Sequence, residues 1–193
     1  NKNSDPNADY NYILTYFTNI DSRDLSILPV HRVMKSLPAN MNLLEENFRI
    51  EKIKTKHDLL VSLARAGCSE HAFGLYQKDK LRLLRLKNEI LLDKLITGGS
   101  KEYKRLDATI LKNLVFDHLN IPSKDLIYTK DSQEAMGFVD RGEAGACFLL
   151  NPVRIEQLRM IALNNERMPP KSTYFYPKVL SGLVVNKFNE DKS

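Results

Sequence analysis

The sequence contains few of the residues that build disulfide scaffolds, metal centres or membrane spans. Its 193 residues include no tryptophan, two cysteines and four histidines. Cys68 and Cys147 are too few for a disulfide framework, and the cysteines and histidines lack the spacing of a zinc site. We therefore expect two small buried thiols and no metal site. No apolar run approaches the ~20 residues that a membrane-spanning helix needs.

An excess of charge of one sign is also missing. The 29 Lys and Arg residues against 24 Asp and Glu residues give a formal net charge of +5. Basic residues are interleaved with acidic ones, which disfavours nucleic acid as a partner. The N-terminus lacks the charged, apolar and small-residue order of a signal peptide, so we expect a cytoplasmic protein. Because the chain begins with Asn1, we expect a processed chain or a piece of a longer protein.

The hydrophobic patterning predicts both strands and helices. Apolar runs and alternation, with β-branched and aromatic residues, predict strands at 12–19, 25–33, 48–53, 72–77, 81–86, 126–129, 144–150 and 180–188. Apolar residues at helical spacing predict helices at 41–46, 57–66, 87–120 with a break at 98–100, 132–141 and 152–164. We expect Ser132 to cap its helix and the first two strands to form a hairpin, as do 72–77 and 81–86.

These elements favour an α+β fold. Strands and helices do not alternate strictly, so we expect a mixed or mainly antiparallel sheet of hairpins with helices packed on it, rather than a doubly wound sheet. No linker divides the chain. We therefore expect a single domain over residues 1–193, with 1–9 as a lead-in or linker.

Motifs of well-known chemistry are absent from the sequence. It has no phosphate-binding glycine-rich loop with its lysine, no dinucleotide fingerprint and no nucleophile elbow. Gly98-Gly99-Ser100-Lys101 lacks the strand that precedes a phosphate loop, so it indicates a flexible connector. Any functional residues must therefore be found from their chemistry and their position.

His31 and Arg32 form the first candidate site, because they lie at the end of a predicted strand. A strand end beside a loop can hold a catalytic group on a rigid scaffold. Histidine exchanges protons near neutral pH, and the planar guanidinium of arginine suits carboxylate or phosphate. The alternative is a histidine that holds a turn.

The second candidate is the segment 168–178, which prolines stiffen at both ends. Lys171 with the hydroxyls of Ser172 and Thr173 would make a compact donor group for an anion. The three aromatic residues that follow could stack on a flat ligand or bury the segment against the core. The sequence leaves an anion-binding loop and an aromatic plug equally open. The predicted ligand-contacting residues are Ser172, Thr173, Tyr174, Tyr176 and Lys178.

Asn151 is the third candidate, because it follows the predicted buried strand 144–150. Pro152 suits the first turn of a helix, so we expect Asn151 to be the N-cap of that helix. A ligand contact at the same place is compatible with this role, because helix N-termini attract anions.

Several stretches of the sequence together resemble the domain-of-unknown-function 1015 family of bacteria and archaea. The resemblance runs from about residue 5 to residue 188, with a looser middle between Pro38 and Lys104. The stretches that carry it are Tyr10-Asn11-Tyr12, Leu28-Pro29-Val30-His31-Arg32, Phe148-Leu149-Leu150-Asn151-Pro152, Lys171-Ser172-Thr173-Tyr174-Phe175-Tyr176-Pro177-Lys178 and Ser181-Gly182-Leu183-Val184.

The resemblance implies that this chain is the C-terminal half of a longer protein. The N-terminal half of such proteins carries a Gly-His-His-Arg motif, absent here, and is similar to the ParB/sulfiredoxin fold. Relatives of that fold bind nucleotides, and some transfer phosphate, including to free serine. The family implies no settled activity that can be assigned to single residues.

Two main hypotheses follow. In the first, the intact protein is a nucleotide-dependent enzyme that acts on a small polar metabolite by phosphoryl transfer, with a nucleotide and Mg²⁺ as the implied cofactors. His31, Arg32 and Lys171 are then the predicted catalytic residues. In the second, the chain is a non-catalytic regulatory or partner-binding module, with the N-terminal half or a second copy as its partner.

Overall fold

The structure is a computed structural model that describes residues 11–22, 24–36, 43–180, 182–185 and 187. The chain divides into two compact units. The larger runs over Ile27–Tyr174, and the smaller combines Asn1–Ser26 with Phe175–Ser193. The expectation of a single domain over 1–193 stays a prediction.

Six antiparallel strands form the main sheet of the larger unit. Their order across the sheet is β3-β5-β4-β7-β2-β6, and a separate pair, β1 (Ser26–Leu28) and β8 (Tyr174–Tyr176), forms a two-stranded sheet. The strands of the main sheet are β2 (His31–Met34), β3 (Phe48–Ile53), β4 (Ala72–Gln77), β5 (Lys80–Leu86), β6 (Leu126–Thr129) and β7 (Ala146–Leu149).

Helices cover both faces of this sheet. The seven α-helices among the described residues are α1 (Leu44–Asn47), α2 (Lys56–Ala66), α3 (Leu92–Leu95), α4 (Lys101–Lys104), α5 (Asp107–Leu111), α6 (Ser132–Asp140) and α7 (Ile155–Leu163). A π-helical segment, Lys112–Asp117, continues α5. This arrangement confirms the predicted α+β fold with helices packed on an antiparallel sheet. No helix in the described ranges is long and apolar enough to cross a membrane.

Two cores form because side chains alternate across each strand. In β7, Ala146 and Phe148 belong to one core while Cys147 and Leu149 belong to the other. The first core packs the sheet against α5 and the π-helical segment, and the second packs it against α2 and α6. A strand covered on both faces has no polar side to alternate with, which explains the continuous apolar run that predicted β7.

Several predicted elements are confirmed. The structure has β3 at the predicted place, the β4–β5 hairpin, and α2, where the Thr55 side chain accepts a hydrogen bond from the Asp58 N–H (3.0 Å) and Gly67 follows as C-cap. The predicted helical region 87–120 is a series of short helices with its break at Gly98 and Gly99.

The predicted first hairpin is wrong. Residues 12–19 contain no strand, because β-forming side chains alone do not make a strand without a neighbouring ladder. The predicted strand 25–33 divides at Pro29 into β1 and β2, since proline has no N–H to donate. β2 then pairs with β6 and β7, which lie far along the chain.

Predictions of chain ends and caps also need correction. The described residues of the predicted strand 180–188 are not in a strand, and β8 forms earlier instead. α6 is capped by Asp131, which accepts from the N–H groups of Gln133 and Glu134, and not by Ser132. Cys147 is buried as expected, but Cys68 is exposed.

Candidate active site

His31 is the first residue of β2 and therefore lies at the start of a strand rather than near the end of the predicted strand 25–33, and its side chain is only 3% exposed. Its Nδ1 atom accepts a hydrogen bond from the backbone N–H of Leu150 (3.1 Å). Burial, helped by the charge of Arg32 and opposed by Asp131, lowers the pKa of His31 to about 4. The imidazole is therefore neutral at pH 7, as the hydrogen bond from Leu150 requires.

Arg32 is buried beside it, with 4% of its surface exposed. One guanidinium nitrogen donates to the carbonyl oxygen of Val30, and the group lies over the Tyr128 ring at 5.0 Å from its centroid. Burial lowers the pKa of Arg32 to about 10. These contacts are those of structural residues, and a catalytic role for His31 and Arg32 stays a prediction.

The predicted anion loop begins with a tight turn. Pro170 is followed by Lys171 at a φ of 58°, which is the pattern of a type II turn with proline second and a positive φ third. The buried Ser172 hydroxyl donates to the carbonyl oxygen of Pro169 (2.6 Å) and closes this turn. Ser172 is thus committed to its own loop. No hydrogen bond joins the exposed Lys171 to His31 or Arg32 within the part of the chain that the structure describes.

The positive φ at Lys171 leads to a stability prediction. A residue with a Cβ in this conformation is strained, and glycine is not. We expect Lys171→Gly to raise the free energy of unfolding by about 0.5–1 kcal/mol, measured by urea denaturation. Lys171→Ala keeps the Cβ and is the matched control. An equal rise in the free energy of unfolding of both variants would contradict backbone strain at Lys171.

Tyr174 is the loop residue that the structure brings near the His31 edge of the sheet. The Nζ atom of Lys130 lies 4.6 Å from the centroid of the Tyr174 ring. Lys130 directly follows Thr129, which is the partner of His31 across the β2–β6 ladder. Thr173 is half-buried, whereas Tyr176 and Lys178 are exposed. The binding roles of these residues stay predictions.

Asn151 is not a helix N-cap. α7 begins at Ile155, and its N-cap is Arg154, whose N–H donates to the side-chain oxygen of Gln157 (3.0 Å). The Nδ2 atom of Asn151 instead donates to the carbonyl oxygen of Leu63 in the last turn of α2 (3.0 Å). The side chain therefore satisfies the C-terminal end of one helix rather than the N-terminal end of the next.

Asn151 also lines a cleft of the larger unit, which has a volume of about 340 Å³. The turn after α2, the starts of α4 and α5, and the approach to α7 form its walls. Its polar lining is rich in charged groups, and the residues concerned are Glu70, His71, Glu89, Glu102, Arg105, Asp107, Arg154 and Glu156.

A histidine–aspartate pair lies in this cleft. The Nδ1 atom of His71 is 2.7 Å from Oδ1 of Asp107, and the side chains are 14% and 20% exposed. A carboxylate oxygen only accepts, so Nδ1 carries the hydrogen of this bond, and Nε2 is the second polar atom of the ring. Both side chains line the cleft.

The arginine nearest this pair in the sequence is already neutralised. Arg105 forms ion pairs with Glu89 (2.5 Å) and Asp93 (3.0 Å), and it also donates to the carbonyl oxygen of Lys101 (3.1 Å). The bonds to Asp93 and, after it, Glu89 raise the pKa of Arg105 above its ordinary value. Within the described ranges, no group of three His, Cys, Asp or Glu residues is placed to hold a metal ion.

The sequence analysis missed this pair because nothing local marks it. His71 begins no motif, and Asp107 is an ordinary acidic residue in the first turn of a helix. They meet because β4 starts at the edge of the cleft and α5 returns to it. The available signal was an acid and a histidine at element ends, which is too common to single out two residues.

Comparison with solved structures finds several partly similar chains. A conserved hypothetical protein from Pyrococcus furiosus shares 14% identity over 82% of this chain and 59% of its own, at a TM-score of 0.48. A free serine kinase in complex with AMP shares 18% identity over 82% of this chain and 56% of its own, at a TM-score of 0.48. A mutant free serine kinase in complex with ADP shares 16% identity over the same fractions of the two chains, also at a TM-score of 0.48. Similarity at this level carries no argument about the reaction.

This chain spans 56% to 59% of the length of those structures. Comparison with curated proteins finds no significant match. The family model described as "Protein of unknown function (DUF1015)" matches residues 1–109. The matched region includes the stretches 10–12 and 28–32, whereas 148–152 and 171–178 lie outside it. Because the match covers more than half of the sequence, this chain belongs to the DUF1015 family of proteins of unknown function.

Proposed function

We propose that this chain is the substrate-binding part of an enzyme that acts on a small polar metabolite in the His71 cleft. The observation that carries the proposal is the hydrogen-bonded pair of His71 and Asp107, both of which line a cleft of about 340 Å³. A histidine held by a carboxylate within a cleft is an arrangement suited to general acid–base catalysis.

The proposed chemistry begins with removal of a proton from a substrate hydroxyl. The lone pair on Nε2 of His71 accepts that proton while the hydroxyl oxygen attacks an electrophile. The ring becomes an imidazolium, and the carboxylate of Asp107, already bonded to Nδ1–H, stabilises its charge. The same nitrogen then returns the proton to a leaving group or to water, which restores the neutral ring.

The electrophile is proposed to be the terminal phosphorus of a nucleotide. A bond forms from the substrate oxygen to phosphorus, the bond to the bridging oxygen breaks, and the shortened nucleotide leaves with those electrons. We propose that an N-terminal half with a ParB/sulfiredoxin-like fold precedes this chain, holds most of the nucleotide, and works with it in the cytoplasm. Lys171, Thr173 and Tyr174 are the proposed contacts of this chain to the nucleotide. The nucleotide would carry its Mg²⁺ on its own phosphate oxygens.

Chemical modification tests the site without knowledge of the substrate. Diethylpyrocarbonate acylates an accessible neutral imidazole nitrogen, and mass spectrometry locates the product. We expect His71 to be acylated and Asp107→Asn to slow that reaction several-fold, while the buried His31 reacts slowly in both proteins. An inert His71, or a rate that Asp107→Asn leaves unchanged, would overturn the proposed role of the pair.

Nucleotide dependence has a separate test. Isothermal titration of the full-length protein with ATP, ADP and CTP should show binding of at least one of them. If none binds while His71 is reactive, the acid–base site stands and the nucleotide part of the proposal fails.

A partner-binding module is the second candidate, and the smaller unit favours it. Among the described residues of that unit, eleven large apolar side chains are at least half exposed, more than a surface without a partner usually shows. They are Tyr12, Ile13, Leu14, Tyr16, Phe17, Tyr176, Val179, Leu180, Leu183, Val184 and Val185. Sedimentation analysis should then give a dimer of this chain, or a stable complex with a separately expressed N-terminal half. A soluble monomer that binds no such half would count against this function.

A further inference from the structure

We propose that Asn151 is an oriented hydrogen-bond acceptor of the His71 cleft, positioned by Gly67 and His31, and that it selects a ligand which donates a hydrogen bond. The ligand class is a small alcohol or amine. This inference rests on the proposed function, because it takes the same cleft as the substrate site.

The orientation of the Asn151 amide follows from its partner. The carbonyl oxygen of Leu63 can only accept, and it receives both Nδ2 of Asn151 (3.0 Å) and the N–H of Gly67 (3.0 Å). The amino end of the Asn151 amide is therefore directed to α2, and Oδ1 is left as the acceptor. Because Asn151 lines the cleft, Oδ1 is the amide atom that remains for a ligand there.

Gly67 gives this amide the space that it occupies. A Cβ on Gly67 would lie 2.1 Å from Nδ2 and 2.6 Å from Cγ of Asn151, far inside van der Waals contact. The φ of Gly67 is −63°, which any residue adopts. Glycine is therefore required here by the close approach of Asn151 and not by the backbone conformation.

His31 fixes the backbone that carries Asn151. Its Nδ1 atom accepts from the N–H of Leu150, the residue directly before Asn151. Leu150 lies just past the end of β7, where the strand ladder no longer holds the chain. The buried imidazole thus acts as a positioning group for the cleft, which gives a role to a histidine that the sequence singled out as catalytic.

The chemistry of the ligand follows from the two oriented acceptors. Nε2 of His71, in the proton-accepting role proposed above, and Oδ1 of Asn151 both require a donor on the ligand. Hydroxyl and ammonium groups supply one, and a fully ionised phosphate does not. The donors of Arg105 are bonded to Glu89, Asp93 and Lys101, while the exposed Arg154 can contact an acidic group on the same ligand.

Nuclear magnetic resonance titration of the full chain with ethanolamine, glycerol and inorganic phosphate tests the inference. We expect ethanolamine and glycerol to shift the side-chain amide signals of Asn151 and the imidazole signals of His71 with saturation, and phosphate to leave Asn151 unchanged. Asn151→Ala and Gly67→Ala should each raise the dissociation constant for ethanolamine about fivefold or more, as loss of one hydrogen bond predicts. Asn151→Ala decides the matter if Gly67→Ala does not fold.

Replacement of His31 separates positioning from general structure. His31→Gln keeps an acceptor for the Leu150 N–H and should bind ethanolamine with the affinity of the wild type. His31→Leu has no such acceptor and should bind ethanolamine more weakly. Equal affinity in the wild type and Asn151→Ala, or shifts of Asn151 by phosphate alone, would overturn the inference. If diethylpyrocarbonate shows an inert His71 while ethanolamine still binds at Asn151, the proposed catalytic role fails and the ligand site remains.

Discussion

Replacement of His71 by glutamine is expected to lower turnover of the full-length protein by about 10²- to 10⁴-fold, the range that general acid–base catalysis contributes. The glutamine amide can still donate to Asp107, so the variant should fold with the wild-type midpoint of thermal unfolding. What it lacks is a nitrogen that accepts a proton from the substrate. The effect should therefore appear in kcat rather than in KM.

The measurement is release of nucleoside diphosphate from ATP in the presence of a panel of small alcohols. His57→Gln is the matched control, because His57 lies in α2 and does not line the cleft. We expect the control to keep wild-type turnover. Full turnover in His71→Gln would show that His71 takes no part in the mechanism.

Acid is expected to destabilise the protein through His31. The pKa of His31 is about 4 in the folded chain because the ring is buried, against about 6.5 in an unfolded chain. Below pH 6.5 the unfolded chain takes up a proton that the folded chain does not, so stability is full above pH 6.5 and falls between pH 6.5 and 4. The loss from this one group is about 2.5 kcal/mol between pH 7.5 and 4.5.

Urea denaturation of the wild type and His31→Gln at both pH values isolates this contribution. Other groups titrate equally in the two proteins, so the difference between their pH dependences belongs to His31. We expect the wild type to lose about 2.5 kcal/mol more than the variant, with His57→Gln behaving like the wild type. Parallel losses in the wild type and His31→Gln would show that the His31 ring is not buried as the structure has it.

The behaviour expected of His31 and His71 reverses their ranking in the sequence. His31 has an arginine directly after it and a proline two positions before it, and both are conspicuous in the sequence. His71 lies between a helix and a strand without such neighbours. Burial, not the neighbouring residues, separates them. A neutral ring enclosed by β2 and β7 supports the backbone, and a ring at the mouth of a cleft can exchange a proton.

The sequence by itself determined the elements whose signal is local. The apolar run of β7, the capped α2 and the β4–β5 hairpin all follow from periodicity and turn chemistry acting over a few residues. The segment 12–19 shows the limit of that reasoning, because its strand-forming residues lack a partner ladder.

Only the tertiary structure decided which elements are neighbours. β2 lies between β6 and β7, and His71 meets Asp107, because two faces of one sheet must be buried and the chain returns to the same cleft to do so. Such contacts depend on the sum of packing over the whole unit and leave no local pattern. For the same reason, residue chemistry marks the segment 168–178 in the sequence, whereas the residues of the cleft, Asn151 among them, carry no local mark of a shared site.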